Sequence, residues 1–543
     1  MAEPLAVTRR DFLRCLGLGS AAALVWLPVW RAWARTDVGF SPDLWLKVVA
    51  APAAVAIRPG AKTPVWSYRA SVLKGDAASV SPMPGGYPGP ILHVRRGQKL
   101  RVDFVNRIDE PSIINWHGLH VPATMMGLPR YAAKPGGTYR YEFTVDNRAG
   151  TYWYHAMSAG HTPEQVYYGL AGLLLVHGPE ADAVPLPRGE YDLPIVIQDR
   201  DFGGDNRFTY PLGAGPDAAR GVVVANPPSM SPGGMMGGGM MDGGMDRMMT
   251  RVMGFFGDSV LVNGHPDAAF DVATRAYRLR VLNASNSRIY KLAWNDGRPL
   301  TVIATGGGLL QMPASRDYVM LAPGQRVELW ADFSADAVGA ERTMLSLPFA
   351  GTMGMLGGSM GMMGRMMGNA SLPPGARFPL FKVRVARKSK RRVELPRQLS
   401  TLTRLRAEDA VNRTHPRTFR ITMTRMRWGF NGRSFQMGEV ARDEIVKLGT
   451  TEVWEFANNM MMAHAIHLHG LQFQVLERLD SPKHDGVLAG CVDDGWEDTV
   501  LVMPGERVWI IMRFTDFTGT YAYQCHMLEH AADGLMRNYR VQA

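Results

Sequence analysis

The feature that most constrains this chain is a pair of motifs that occurs twice, once near each end. Asn115-Trp116-His117-Gly118-Leu119 is answered by His467-Leu468-His469-Gly470-Leu471. Gly150-Thr151-Tyr152-Trp153-Tyr154-His155-Ala156-Met157 is answered by Gly519-Thr520-Tyr521-Ala522-Tyr523-Gln524-Cys525-His526. Such repetition predicts two similar domains. Each motif carries two candidate residues at i and i+2, and in a strand that spacing puts both side chains on one face. Two such domains meeting face to face offer eight positions to one interface. Five are His117, His155, His467, His469 and His526; the other three are Asn115, Met157 and Gln524. Five matched histidines out of 14 point to a metal-binding imidazole cluster of the kind that suits copper, iron or zinc.

The rest of the chain reads as β. Its 543 residues leave room for three or four domains of about 150 residues each. Short Val-, Tyr- and Leu-rich runs are punctuated by 59 Gly and 36 Pro. Strands are expected over 45–57, 91–105, 138–145, 150–155 and 169–176 in a first unit. A second holds 276–282, 300–305 and 325–333, and a third runs from about 395 to the end. All three fit β-sandwiches with Greek-key connections. The net charge of +11 is spread out and accompanied by no nucleic-acid motif, so a solvated basic surface is expected and no nucleic-acid partner.

The first 34 residues read as an export signal: Thr8-Arg9-Arg10-Asp11-Phe12-Leu13, an apolar stretch to Trp30, then Ala32-Trp33-Ala34. The paired arginines resemble a twin-arginine signal. That predicts the twin-arginine export machinery as a partner, cleavage near Ala34 and a periplasmic location. Only Cys491 and Cys525 would remain, too few for a disulfide framework.

Cys525 lies within a second constellation. His464 precedes the His467/His469 pair, and His530 follows Cys525 by five residues. Two imidazoles and one thiolate are the ligands of a trigonal blue-copper site, completed by a weak axial group, here Leu535 or Met536. Cys525 and His526 are adjacent, so one peptide would join this site to the imidazole cluster.

These motifs, in this order, resemble those of the three-domain multicopper oxidases. Glu164-Gln165-Val166, Val262-Asn263-Gly264, Leu282-Asn283-Ala284-Ser285-Asn286-Ser287-Arg288 and Trp496-Glu497-Asp498-Thr499-Val500 support the likeness. The resemblance implies an all-β chain of three consecutive cupredoxin-like sandwiches. Their expected bounds are 45–180, 185–347 with a Met-rich loop at 230–253, and 395–543, with a Met-rich and basic linker at 348–394. It also implies substrate oxidation at type 1 copper and O2 reduction at a trinuclear cluster between domains one and three. Carried over, the type 1 ligands are His464, Cys525 and His530, with Leu535 at a non-coordinating axial position. One type 3 copper keeps His117, His155 and His526. The other retains only His469 beside Met157 and Gln524, and the type 2 copper only His467 beside Asn115. The acid expected near the cluster is replaced by Met126, and the one expected after the last type 1 histidine by Ala531.

The expected activity is therefore a copper-dependent oxidoreductase with impaired O2 reduction, holding type 1 copper and at least one further copper. His120 and His161 lie near enough in sequence to refill the gaps. Copper tolerance is suggested by methionine, which numbers 34. Nine fall in 230–253 and seven in 353–367, in Gly-spaced runs read as loops. Thioethers bind Cu(I), so Met235, Met236, Met240, Met241, Met362 and Met363 are candidate accessory ligands. So are Met460, Met461 and Met462, beside His464. Two alternatives stand: a reductase of nitrite-reductase type, using type 1 copper and a three-histidine copper, and a non-catalytic copper-binding or electron-transfer protein.

Overall fold

The computed structural model describes residues 39–213, 215–216, 242–350, 372–481 and 486–543. The expected export signal, 230–241 with its four candidate methionines, and 353–367 with Met362 and Met363 lie outside them. Pro42–Ala543 forms one compact unit.

Alternation of apolar and polar residues sets the strands. In Leu44–Val55, Leu46, Val48 and Ala50 are buried while the residues between them are half-exposed. This strand lies in a four-stranded sheet with Thr63–Lys74, Lys99–Asn106 and Thr138–Thr144. Facing it is a five-stranded sheet whose last three members are Ala171–His177, Gly150–Ala156 and Ile114–His117. The predicted strand over 91–105 is two strands, Ile91–Arg95 and Lys99–Asn106, separated by a turn at Gly97, whose φ of 83° suits glycine.

The same construction recurs twice. The middle sandwich pairs a seven-stranded sheet, containing Asp192–Phe202, Ala276–Asn283 and Arg326–Asp332, with a five-stranded one. The last sandwich has two five-stranded sheets. In all three an entering strand runs parallel to a later one: Leu44–Val55 with Lys99–Asn106, Asp192–Phe202 with Ala276–Asn283, and Arg417–Thr424 with Thr451–Asn458. Buried apolar side chains of the first and third sandwiches merge into one core, whereas the middle sandwich keeps its own. The expected all-β architecture is what the chain adopts.

Two expectations need correction. Residues 348–394 are not all linker: Phe378–Arg387 pairs with Glu341–Ser346 and Ala269–Ala273 and belongs to the middle sandwich. Its buried Val383 and Val385 alternate with exposed Lys382, Arg384 and Ala386, which is the alternation of a half-buried strand. Likewise 230–253 is not all loop, because Asp242–Met253 is an α-helix. It packs against the short helix Leu528–Ala532, which carries His530.

Candidate metal centres at one sheet of the third sandwich

The sheet that contains Met536–Gln542, Gly519–Cys525, His464–Leu468 and Thr499–Val502 sorts the candidate residues onto two sides. Ile466 pairs with Cys525, and His467 with Gln524. Side-chain alternation therefore puts His464 and Cys525 on one face, and His467 and Gln524 on the other. Met536 pairs with Gln524, which places it on the Gln524 face and leaves Leu535 beside the Cys525 face. Leu535 is fully buried, and its carbonyl accepts the Cys525 amide at 2.9 Å.

On the Cys525 face, Nδ1 of His464 and Nδ1 of His530 lie 3.5 and 3.8 Å from Sγ. Metal–nitrogen and metal–thiolate bonds of about 2.0 and 2.3 Å at a trigonal angle would separate N from S by about 3.7 Å. All three side chains are fully buried. Burial pushes the Cys525 thiol up to about 12, against the pull of the Met527 and Ala465 backbone amides. It pushes His530 down to about 3, partly offset by the Val252 carbonyl, and His464 well below its usual value. Neutral imidazoles are ready donors, while the thiol must lose its proton to bind. Trp428, itself buried, lays its ring near both His464 and His530, with centroids 5.0 and 4.7 Å away, and closes the site to water.

On the other face the first and third sandwiches meet. The rings of His117 and His467 stack with centroids 3.7 Å apart. Asn115 and His155 are paired across neighbouring strands, so the motif residues of the first sandwich do share one face. His155 donates Nδ1–H to the Ala156 carbonyl at 2.9 Å, which leaves its Nε2 lone pair facing Nε2 of His526 at 3.5 Å. A metal with bonds of about 2.05 Å would bridge that gap at roughly 120°. His117 completes a three-histidine group whose nitrogens all lie within 4.8 Å of one another. Burial drives His155 down to about 3 and His117 and His526 well below the ordinary range.

Asn115, at one of the remaining positions, is engaged by its amide. Asn115 Nδ2 donates to the Met126 carbonyl at 3.0 Å and to Nδ1 of His469 at 3.1 Å. The carbonyl can only accept, which fixes the amide orientation and makes His469 Nδ1 the acceptor. His469 Nδ1 is thereby taken up by Asn115, while its Nε2 is buried with no hydrogen-bond partner among the described residues. Met157 and Met126 are buried in the shared apolar core. His120 and His161 do not refill the gap. His120 bridges the Gly470 carbonyl at 2.6 Å and Asp516 at 2.9 Å, and His161 pairs with Glu110 at 3.1 Å.

The Met460–Met462 triple is divided. Met461 is 60% exposed, while Met462 is buried in the core and Met460 packs against it. Met248, within the Met-rich segment 230–253 but not among the candidates singled out there, and Met426, which sequence reasoning missed, line a cavity of about 670 Å³ with Arg427, Asp533 and Glu529. Both are solvent-exposed, at 42% and 51%. The sequence also gave Asp498 no role, although it marked the Trp496–Val500 stretch. No local pattern marks Trp428 or Arg326.

Two histidines with a cysteine, next to a buried imidazole cluster between sandwiches, form donor sets of the kind that suit copper. Comparison with known proteins agrees. Residues 65–181 and 410–543 each match the multicopper oxidase family. The cell division protein FtsP of Yersinia pestis is 30% identical, over 93% of this chain and 92% of that one. A laccase of Bacillus stratosphericus is 28% identical, over 83% and 89%. The solved structure of the McoA multicopper oxidase from Aquifex aeolicus superposes with a TM-score of 0.72 at 30% identity, covering 93% and 97%. The chain belongs to the multicopper oxidase family, and its β-sandwiches are the cupredoxin-like domains of that fold.

Proposed function

We propose that this chain is a periplasmic copper oxidoreductase that oxidises Cu(I), or another small reductant, at a type 1 site, serves copper tolerance, and reduces O2 poorly. It would be exported by the twin-arginine route and cleaved near Ala34. Among the described residues no helix is long and apolar enough to cross a membrane. The observation that carries the reading is the convergence of His464 Nδ1 and His530 Nδ1 on Cys525 Sγ, in a buried pocket closed by Trp428. Leu535 would stand at the axial position, which favours the cuprous state and raises the potential. His117, His155 and His526 would hold a further copper. Copper in these sites would supply one-electron redox chemistry.

The chain's own groups divide the remaining work. Met248 and Met426 present soft thioethers, and Asp533 a carboxyl, in the cavity beside the helix that carries His530, where a cuprous substrate would be captured. Tyr210, Asn286, Ser287 and the Phe255 amide all donate to the buried Glu529 carboxylate. They tie the His530 helix to the middle sandwich. The Cys525–His526 peptide joins the two donor groups covalently across the sheet. Asn115, Met157 and Gln524 remove donors from the oxygen side, so fewer redox equivalents could be assembled there than O2-to-water chemistry needs.

A second reading is a non-catalytic copper-binding protein of the cell envelope. It is favoured by the likeness to cell division proteins along nearly the whole chain. The nitrite-reductase alternative needs a free acid over the three-histidine group, and Asp498 already receives hydrogen bonds at both carboxylate oxygens. The test is anaerobic addition of Cu(I) to the copper-loaded, oxidised protein. Bleaching of the blue absorption within seconds, followed by slow recovery in air, is expected. A blue band untouched by Cu(I) would contradict oxidation at this site and favour the second reading.

A further inference from the structure

Among the described residues the middle sandwich supplies no candidate ligand to the imidazole cluster, yet it reaches the cluster through Arg326. The Arg326 guanidinium and the Asp498 carboxylate are both fully buried and form a two-pronged pair, Nη1–Oδ1 at 2.9 Å and Nη2–Oδ2 at 2.7 Å. Arg326 is itself fixed by the carbonyls of Thr151, Gly324 and Gly306. Three sandwiches therefore meet at one ion pair. Gly118, directly after His117, makes room for it. A Cβ there would fall 2.3 Å from Asp498 Oδ2 and 2.9 Å from Arg326 Nη2, and its φ of +86° is strained for other residues.

The hydrogen-bond partners around the pair leave one consistent proton arrangement. His117 Nε2 faces Asp498 Oδ1 at 2.9 Å, and a carboxylate held by an arginine can only accept, so this nitrogen carries the hydrogen. His467 Nδ1 faces the Asp498 main-chain carbonyl at 2.8 Å, which also only accepts. Thr499 Oγ1 donates to Asp498 Oδ1 at 2.8 Å and lies 3.1 Å from each of the two imidazole nitrogens, accepting from both. The opposite nitrogens, His117 Nδ1 and His467 Nε2, are buried and have no hydrogen-bond partner among the described residues. In a neutral imidazole those atoms must be bare lone pairs.

We propose that Asp498, clamped by Arg326, is a positioning residue that sets the tautomers of His117 and His467 and so directs both lone pairs at the metal cluster. The middle sandwich then acts on the site through Arg326 rather than through a ligand. Asp498 is not a ligand itself, because Arg326, His117 and Thr499 already occupy its oxygens. The metal part of this proposal rests on the reading that His117, His155 and His526 hold copper; the tautomer part does not.

The test combines two readouts on the full chain. In metal-free protein labelled with nitrogen-15 at histidine, His117 is expected as the Nε2–H tautomer. In Asp498→Asn, whose amide can turn its NH2 toward His117, a mixture or the reverse tautomer is expected. In copper-loaded protein, Asp498→Asn is expected to weaken the non-blue copper about 10- to 100-fold in a chelator competition, while the blue absorption stays. Arg326→Lys, which keeps the charge, should retain the wild-type tautomer. A wild-type His117 protonated at Nδ1 overturns the proposal even if Asp498→Asn does not fold. So does an Asp498→Asn protein with unchanged tautomer and unchanged copper affinity. A wild type that takes up blue copper alone overturns the copper reading of the cluster, and the tautomer readout still decides the positioning role.

Discussion

One sheet of the third sandwich carries two donor groups on its opposite faces, and they have fared differently. On the Cys525 face, the two histidines and the thiol are all present, buried and convergent. On the His467 face, three of eight positions hold Asn115, Met157 and Gln524 where the resemblance implies imidazoles, and Asn115 hydrogen-bonds His469. The lesson is that the two faces are separable. Alternation lets one face change while the adjacent residue on the other is kept, as with Gln524 and Cys525. On the His467 face Asn115 hydrogen-bonds the Met126 carbonyl and His469, and Met157 is buried in the apolar core.

The largest expected effect breaks the comparison at its intact side. Cys525→Ser should abolish the blue absorption completely while leaving the non-blue copper in place, as read by absorption and metal analysis. Retained blue colour would show that the thiolate is not the ligand.

The next probes the eroded side. Wild-type O2 consumption with Cu(I) or a phenol is expected to fall well below the ordinary enzyme range of about 1 to 10³ per second. The triple change Asn115→His, Met157→His, Gln524→His should raise the copper content per chain and the O2 rate together. Ordinary turnover by the wild type would erase the contrast between the faces.

A smaller effect is expected at the substrate cavity. Met248→Ala with Met426→Ala should slow Cu(I)-driven bleaching about tenfold, equivalent to about 1.4 kcal/mol, and leave the blue spectrum unchanged. Equal rates would remove the cavity from the account.

The smallest effect concerns acid. His530 and His155, one per face, are each depressed to about 3 by burial, from an unfolded value near 6.5. The stability they lend the metal-free fold is present above about 6.5 and is lost as pH falls through about 3. His530→Gln and His155→Gln should each make the metal-free chain less acid-sensitive in denaturation curves. Copper loading should blunt both differences. If it blunts only that of His530, the three-histidine group holds no metal.

Much of this arrangement was legible in the sequence. The repeated motifs give the two matched sandwiches, and the i, i+2 spacing gives the shared face on which His117 and His467 stack. The Cys525–His530 spacing gives the intact group. Other parts were hidden for physical reasons. Positions 245, 248, 249 and 252 fall at helical spacing, but the Gly-rich run before them dominates the composition of that segment, and the helix docks on another helix far along the chain. Phe378–Arg387 alternates as a strand should, yet sits between a Met-Gly run and a basic run that make the region resemble a linker. Whether His469 keeps a usable lone pair depends on an amide from another sandwich, Asn115, which no spacing rule reveals. The Arg326–Asp498 pair joins residues 172 apart.

The most direct test of the central claim is copper content per chain, measured together with the absorption spectrum of fully loaded protein. About two copper ions are expected, one blue and one not, since His464, Cys525 and His530 converge on one face and His117, His155 and His526 on the other. Four coppers with an ordinary trinuclear signature would contradict the eroded cluster. A colourless protein would contradict the intact one.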